Sequence, residues 1–314
     1  MLMSTSYPKI VILLPCYNEE VAIGQLISSL KTELPDIPIY VYDNNSTDRT
    51  AEIARSAGAI VKIEPQQGKG NVVRRMFADI DADIYLMMDG DMTYDVSRAR
   101  ELIDKLQNET LDMVVGRRMT NDPDAYRAGH RWGNYALTRT LKIIFGQRFE
   151  DILSGYRVFS RRFVKSFPTL SKGFEIETEM SIHALELALP VAEVDTAYFA
   201  RPEGSFSKLN TYRDGIRILW TIMNLFRTEK PLIFFSILSF VLAFFSLITF
   251  YPIWMDFKET GYVERIPSTI LCLGLMISSV FSLFTGFILD STSRLIKETR
   301  RLHYLNLPCV SEKR

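Results

Sequence analysis

Ile84-Tyr85-Leu86-Met87-Met88-Asp89-Gly90-Asp91 is an apolar run that ends in two carboxylates with a glycine between them. An unbroken apolar run of this length reads as a strand buried on both faces, the form that strands take in a parallel sheet covered by helices. The same grammar recurs upstream. Lys9 to Leu14 leads into Pro15-Cys16-Tyr17-Asn18-Glu19, and Ile37 to Tyr42 leads into Asp43-Asn44-Asn45-Ser46-Thr47-Asp48. Ala59 to Ile63, Asp112 to Gly116 and Val191 to Phe199 are further strand candidates. Between the first two strands Val21, Leu26, Ile27 and Leu30 fall near helical spacing, and Pro35 and Pro38 close that helix. Strand alternating with helix predicts an α/β domain, a Rossmann-like mostly parallel sheet with flanking helices. Ligands of such sheets sit beyond the carboxyl ends of the strands, so the polar clusters there are where chemistry is expected.

The C-terminal part obeys a different rule. Pro231 to Met255 and Ile266 to Leu289 contain no Asp, Glu, Lys, Arg or His, and each exceeds the ~20 apolar residues that carry an α-helix across a bilayer core. A linker, Asp256 to Arg265, joins them, and Arg294, Lys297, Arg300 and Arg301 follow. Basic residues flank the outer ends of this hairpin and are scarce in its turn, which predicts both termini on the cytoplasmic side. Just before it, Ile216, Leu219, Trp220, Met223, Leu225 and Phe226 form an apolar stripe beside Arg213, Arg217, Arg227 and Lys230, a pattern suited to a membrane interface. The predicted organisation is a catalytic domain over 1–210, an amphipathic juxtamembrane helix over 211–230, a transmembrane hairpin over 231–290 (spans about 231–255 and 266–289) and a cytoplasmic tail over 291–314.

Composition excludes other classes. In 314 residues, 37 Lys and Arg balance 37 Asp and Glu, so no basic field marks a nucleic-acid binder. Cys16, Cys272 and Cys309 are too scattered for a disulfide framework or a zinc site, and His130, His183 and His303 show no metal spacing. Ile10 to Leu14, followed by Pro15, is too short for the core of a secretory signal and reads as a strand.

Asp89-Gly90-Asp91 places oxygen ligands at a strand mouth, an arrangement that suits Mg²⁺ or Mn²⁺ with substrate phosphates completing the shell; taken alone it could equally be a solvated turn. Lys69, between Gly68 and Gly70, can approach a phosphate, and Asp43 can accept from a base or ribose. Together with Pro15 to Glu20 and Asp43 to Asp48, these segments resemble the nucleotide-sugar half of inverting family 2 glycosyltransferases with the GT-A fold. Gly116-Arg117-Arg118, Arg131, Asp151-Ile152-Leu153-Ser154-Gly155-Tyr156-Arg157 and Arg201-Pro202-Glu203-Gly204-Ser205-Phe206-Ser207-Lys208 resemble the polyprenyl-phosphate branch. That branch includes dolichyl-phosphate mannose synthases and, with a trailing hairpin, bacterial undecaprenyl-phosphate glucosyltransferases.

The resemblance implies a UDP-sugar donor, a polyprenyl-phosphate acceptor, and a place in the bacterial inner membrane with the catalytic domain cytoplasmic. It implies donor binding by Pro15, Tyr17, Asn18, Glu19, Asp43, Asn45, Lys69, Asp89, Gly90, Arg201 and Lys208, and metal at Asp89 and Asp91. Arg117 and Arg131 fall to the acceptor phosphate. Asp151 is either a base or a group that orients Arg131 or the sugar, and Thr93 stands where some relatives carry a third metal ligand. A homo-oligomer is implied, with a tetramer among its forms. A polysaccharide synthase and a non-catalytic membrane adaptor are the competing readings; the first usually carries Gln-x-x-Arg-Trp, where this chain has Ala128 three residues before Arg131-Trp132.

Overall fold

The structure is a computed structural model that describes residues 8–119, 139, 149–169, 173, 175–202, 223–224, 226–228 and 230–309. Arg131, Lys208 and most of the helix predicted over 211–230 lie outside the described residues. The chain divides into two compact units, one of Met1–Asp214 with Arg300–Arg314 and one of Gly215–Thr299.

In the first unit the strands are β1 (Ile10–Cys16), β2 (Ile39–Asp43), β3 (Ile60–Ile63), β4 (Ile84–Met87), β5 (Met113–Met119), β6 (Arg157–Ser160) and β7 (Val191–Ala197). They form one sheet in the order β3-β2-β1-β4-β6-β5-β7. Only β6 runs against its neighbours β4 and β5; the other pairings are parallel. The helices are α1 (Ile23–Glu33), α2 (Thr50–Ser56), α3 (Lys69–Asp79), α4 (Ala99–Asn108), α5 (Arg161–Ser166) and α6 (Ile176–Glu186).

Strand alternation divides the core in two. Ile12, Leu14, Val41, Leu86 and Val158 pack with Leu26, Ile27 and Leu30 of α1 and Leu102, Ile103 and Leu106 of α4. Tyr85 and Phe159 lie against Phe77 of α3, and Phe159 also stacks on Phe163 of α5. Burying each such side chain is worth about 1.5–3 kcal/mol. Val21, taken from spacing as part of the apolar face of α1, is 50% exposed because the helix starts two residues later, at Ile23.

Three boundaries move from where the sequence puts them. β1 continues through Pro15 and Cys16, whose ladder partners are Tyr42 and Asp43. β5 continues to Met119, paired with β7 along its whole length. β6 comes from the segment read only as a motif. Being antiparallel, it enters the sheet from the edge where the parallel strands end, which delivers the Asp151 to Gly155 loop to that edge.

In the second unit α7 (Pro231–Thr260, 30 residues) and α8 (Ile266–Leu305, 40 residues) are long and apolar enough to cross a membrane; α8 continues through much of what the sequence reads as tail, its residues from Arg300 belonging to the first unit. At ~1.5 Å rise per residue even the shorter exceeds a ~30 Å hydrocarbon core. The helices meet along a polar seam: the Ser239 and Ser279 hydroxyls are 2.9 Å apart, and Ser246 and Ser282 donate to the Cys272 and Phe235 carbonyls. Phe240, Phe281 and Phe284 are exposed.

Candidate active site

The first two polar segments are laced into one rim at the ends of β1 and β2. Asn18 N–H donates to Ser46 Oγ at 2.9 Å, Thr47 N–H to Asn18 Oδ1 at 2.8 Å, and Glu19 N–H to Thr50 Oγ1 at 2.8 Å. Asn18 and Asn45 both take positive φ, a conformation that asparagine tolerates better than most residues. Asp43 is buried in this rim. Its Oδ2 accepts from Ser46 N–H at 3.1 Å, and its buried Oδ1 has no partner among the described residues. Leaving such an acceptor unmet costs about 1–3 kcal/mol. Asn44 is the hub that sequence reasoning passed over. Its amide donates to the Glu64 and Gln66 carbonyls, and its Oδ1 accepts from Gly68 N–H at 2.7 Å.

That last bond sets the start of α3. Gly68-Lys69-Gly70 is the helix N-terminus, entered through Gly68 at φ 129, which excludes side chains. Lys69 therefore points inward, ion-paired to both Asp89 and Glu177. Glu177, on α6, was missed in the sequence because Glu175, Glu177 and Glu179 in a helical pattern read as a solvated face. It is in fact buried. Burial raises the Glu177 carboxyl above its ordinary range, opposed by Lys69; the same burial would lower Lys69, but Asp89 and Glu177 outweigh it and raise the ammonium.

Asp91, just past β4, is buried. Its Oδ1 accepts from the Thr93 hydroxyl at 2.7 Å, and its Oδ2 lies 2.6 Å from Arg201 Nη2. Arg201 also stands 3.8 Å from Glu19. A Cβ on Gly90 would strike the Cys16 sulfur, and one on Gly155 the Asp89 carboxylate, so neither could be added unless those side chains moved. Among the described residues no group of three or more His, Cys, Asp or Glu could hold a metal. Two carboxylates without a third side-chain ligand fit Mg²⁺ or Mn²⁺, ions that take waters and substrate phosphates for the remaining positions.

Arg117 and Arg118 are neighbours on β5 and so face opposite ways. Arg117 pairs in register with Asp195 of β7, at 2.6 and 2.8 Å, and also with Glu150. Arg118 takes the other face. Its Nε and Nη2 clamp Asp151 at 2.7 Å each, and its guanidinium lies over the Tyr198 ring. The Asp151 carboxylate is thus engaged by Arg118; Arg131, one of the groups that the sequence reading has it orient, lies outside the described residues. Burial pushes the Asp151 carboxyl up, but Arg118 outweighs it and holds the group below the usual carboxylate range. Glu193 accepts the N–H groups of Glu150 and Asp151 at 2.9–3.0 Å. Arg157, fully buried, donates to the Ile152 and Ser154 carbonyls and to Ser181, fixing the loop from inside.

The profile described as Glycosyl transferase family 2 matches residues 11–167. Glycosyltransferase AglJ of Haloferax volcanii is 38% identical over 233 residues, covering 74% of this chain and 76% of that protein. A dolichyl-phosphate hexose transferase of the same organism is 26% identical over 225 residues, covering 72% and 97%. Among solved structures, glucosyl-3-phosphoglycerate synthase of Mycobacterium tuberculosis, in complex with Mn²⁺ and UDP-glucose, superposes with a TM-score of 0.55 at 23% identity, covering 70% of this chain and 78% of that one. At that identity the likeness speaks for the GT-A fold.

Proposed function

This chain belongs to glycosyl transferase family 2, and from that premise we propose that it moves a single hexose, glucose first among the candidates, from a UDP-sugar to polyprenyl (undecaprenyl) phosphate with inversion. The observation that carries the donor half is the buried, unmet Asp43 Oδ1 at the end of β2. An acceptor left unmatched inside a rim of polar loops calls for an N–H or O–H that arrives with a ligand, and a uracil or ribose supplies one. The lipid half is supported by α7 and α8, and by the dolichyl-phosphate hexose transferase among the relatives. A soluble phosphorylated acceptor, like that named for the mycobacterial synthase, leaves two long apolar helices without a purpose.

In the transfer an oxygen of the lipid phosphate attacks C1 of the sugar. The bond from C1 to the diphosphate oxygen breaks with its electron pair, and UDP departs. A phosphate monoester has its second pKa near ~6, so the nucleophile is already anionic at neutral pH and needs no base. Asp151, held ionised on Arg118, then acts as an orienting group. Arg118, facing away from Asp195, is the arginine of the β5 pair that we assign to the acceptor phosphate, in place of Arg117; Arg131 joins it. Asp89 and Asp91 would hold Mg²⁺ or Mn²⁺, which when bound stabilises the charge growing on the leaving diphosphate. Lys69, Arg201 and Lys208 serve the donor side. The reading includes a membrane-embedded hairpin, a cytoplasmic catalytic domain at the bacterial inner membrane and a homo-oligomer.

The test is mass spectrometry of the lipid formed when the full chain meets undecaprenyl phosphate and a panel of nucleotide sugars. One hexose on lipid phosphate is the expected product. A polymer would return the synthase reading, and binding of UDP-sugar without turnover the adaptor reading.

A further inference from the structure

Both carboxylates of the Asp89-Gly90-Asp91 pair are held by side-chain cations, and each cation is shared with a second acid. Lys69 bridges Asp89 and Glu177, while Arg201 contacts Asp91 and, more distantly, Glu19. The acids come from three separate places in the chain, the Asp89-Gly90-Asp91 pair, Glu19 and Glu177, so the pattern is not a by-product of one helix face. Lys69 is nearly enclosed, its side chain 10% exposed, and Glu177 is 5% exposed. An ammonium so placed cannot move out to water when Asp89 turns to a divalent cation. It has to stay beside the incoming positive charge, and only a second anion makes that tolerable.

We infer that Lys69 is a built-in counter-ion that occupies Asp89 until a divalent cation and a nucleoside diphosphate arrive, and that Glu177 is the positioning residue that retains the ammonium when Asp89 gives it up. This rests on the donor reading proposed above. Glu177 touches neither metal nor substrate in this role; it acts through Lys69. Once detached from Asp89, the ammonium stays on Glu177, and the anionic donor takes the place of the lost carboxylate contact.

The experiment measures Mn²⁺ binding by electron paramagnetic resonance to the full chain in detergent, with UDP at a concentration that saturates each protein, for wild type, Glu177→Gln, Lys69→Met and the double variant. Glu177→Gln should weaken Mn²⁺ binding about tenfold or more, the scale of a lost charge-assisted contact in a buried site. Adding Lys69→Met to it should bring Mn²⁺ affinity back toward the wild-type value, because no ammonium is left to be retained. Lys69→Met alone should bind Mn²⁺ without loss while its UDP affinity falls. A structural role for Glu177 would lower the melting temperature and leave the double variant as weak as the single one. Unchanged Mn²⁺ affinity in Glu177→Gln, or no recovery in the double variant, would overturn the inference and leave the donor reading standing. Absence of Mn²⁺ and UDP binding in wild type would sink both.

Discussion

Asp43 and the two arginines of β5 are where single side chains separate binding from scaffolding. Asp43→Ala removes an Oδ1 that the protein leaves unmet together with an Oδ2 that accepts from Ser46 N–H, so it should cost about 1 kcal/mol of stability, whereas a hydrogen bond donated by a nucleoside to a carboxylate is worth about 1.5–3 kcal/mol. Calorimetric titration should therefore find UDP binding weakened about tenfold to a hundredfold, with the melting temperature lowered by only a few degrees. If affinity stayed and stability fell, Asp43 would be part of the scaffold. Arg118→Ala should raise the KM for lipid phosphate and leave UDP affinity intact, since its guanidinium is held by Asp151 and lies over the Tyr198 ring, neither of which is assigned to the donor. Arg117→Ala breaks pairs with Asp195 and Glu150, both more than half exposed, and such surface pairs contribute about 0–1 kcal/mol. Its acceptor kinetics should stay within a fewfold of wild type, and the opposite ranking of the two variants would restore Arg117 to the acceptor site.

At the scale of elements, the hairpin gives a prediction of topology. A cysteine in the turn between α7 and α8 should react with a membrane-impermeant thiol reagent added from the periplasmic side, in a background without Cys16, Cys272 and Cys309. Gly261 is a poor place for it, because φ 74 there caps α7 in a left-handed conformation that a side chain strains. Tyr262, 76% exposed, is the better site, and labelling that appears only after the membrane is opened would reverse the orientation. Elements with strong periodicity were legible before any coordinates: β1, β2, β4, α1 and the two apolar helices follow directly from runs and spacing. β6 was not. Four residues beginning with arginine do not look like a central strand, and only the three-dimensional partners of Arg157 make that charge bearable. The candidate site divides the same way. Acids at strand mouths were visible as motifs, while Glu177, Asn44 and Glu193 act through partners far away in sequence, and no local pattern marks them. Arg118 was within reach, since extending β5 beyond Gly116 would have set it opposite Arg117.

Across the first unit, at the end of the strands opposite the candidate site, the C-terminal residues pack against Asp112 and Glu186. Tyr304 donates to Asp112 Oδ2 at 2.5 Å, Arg162 clamps the same carboxylate, and Arg300 pairs with Glu186. Tyr304→Phe should lower stability by about 1 kcal/mol, the usual net worth of one hydrogen bond, because Arg162 and Ser160 still satisfy Asp112. Beside these contacts His183 of α6 is buried between Phe163 and Phe167, its Nε2 3.1 Å from Ser166 Oγ and its Nδ1 without a partner among the described residues. Burial, helped by Arg300, depresses its pKa from 6.5 to about 3, so the folded protein keeps the imidazole neutral. The unfolded chain takes up a proton below its own pKa of ~6.5, and the folded chain does not. Unfolding therefore binds protons in that window, and stability must fall as the pH drops from about 6.5 toward 3, by up to about 1.4 kcal/mol per unit from this one residue. Above 6.5 the ring is neutral in both states and contributes no slope. Denaturant titrations followed by circular dichroism at pH 7, 6 and 5, on wild type and His183→Gln, isolate the effect from that of the carboxylates, which titrate in both proteins. The variant should lose stability at pH 7 and show a shallower decline below pH 6.5. Parallel declines in the two proteins would mean that His183 picks up its proton in the folded state, and that its cavity is wetter than its packing against two phenylalanine rings indicates.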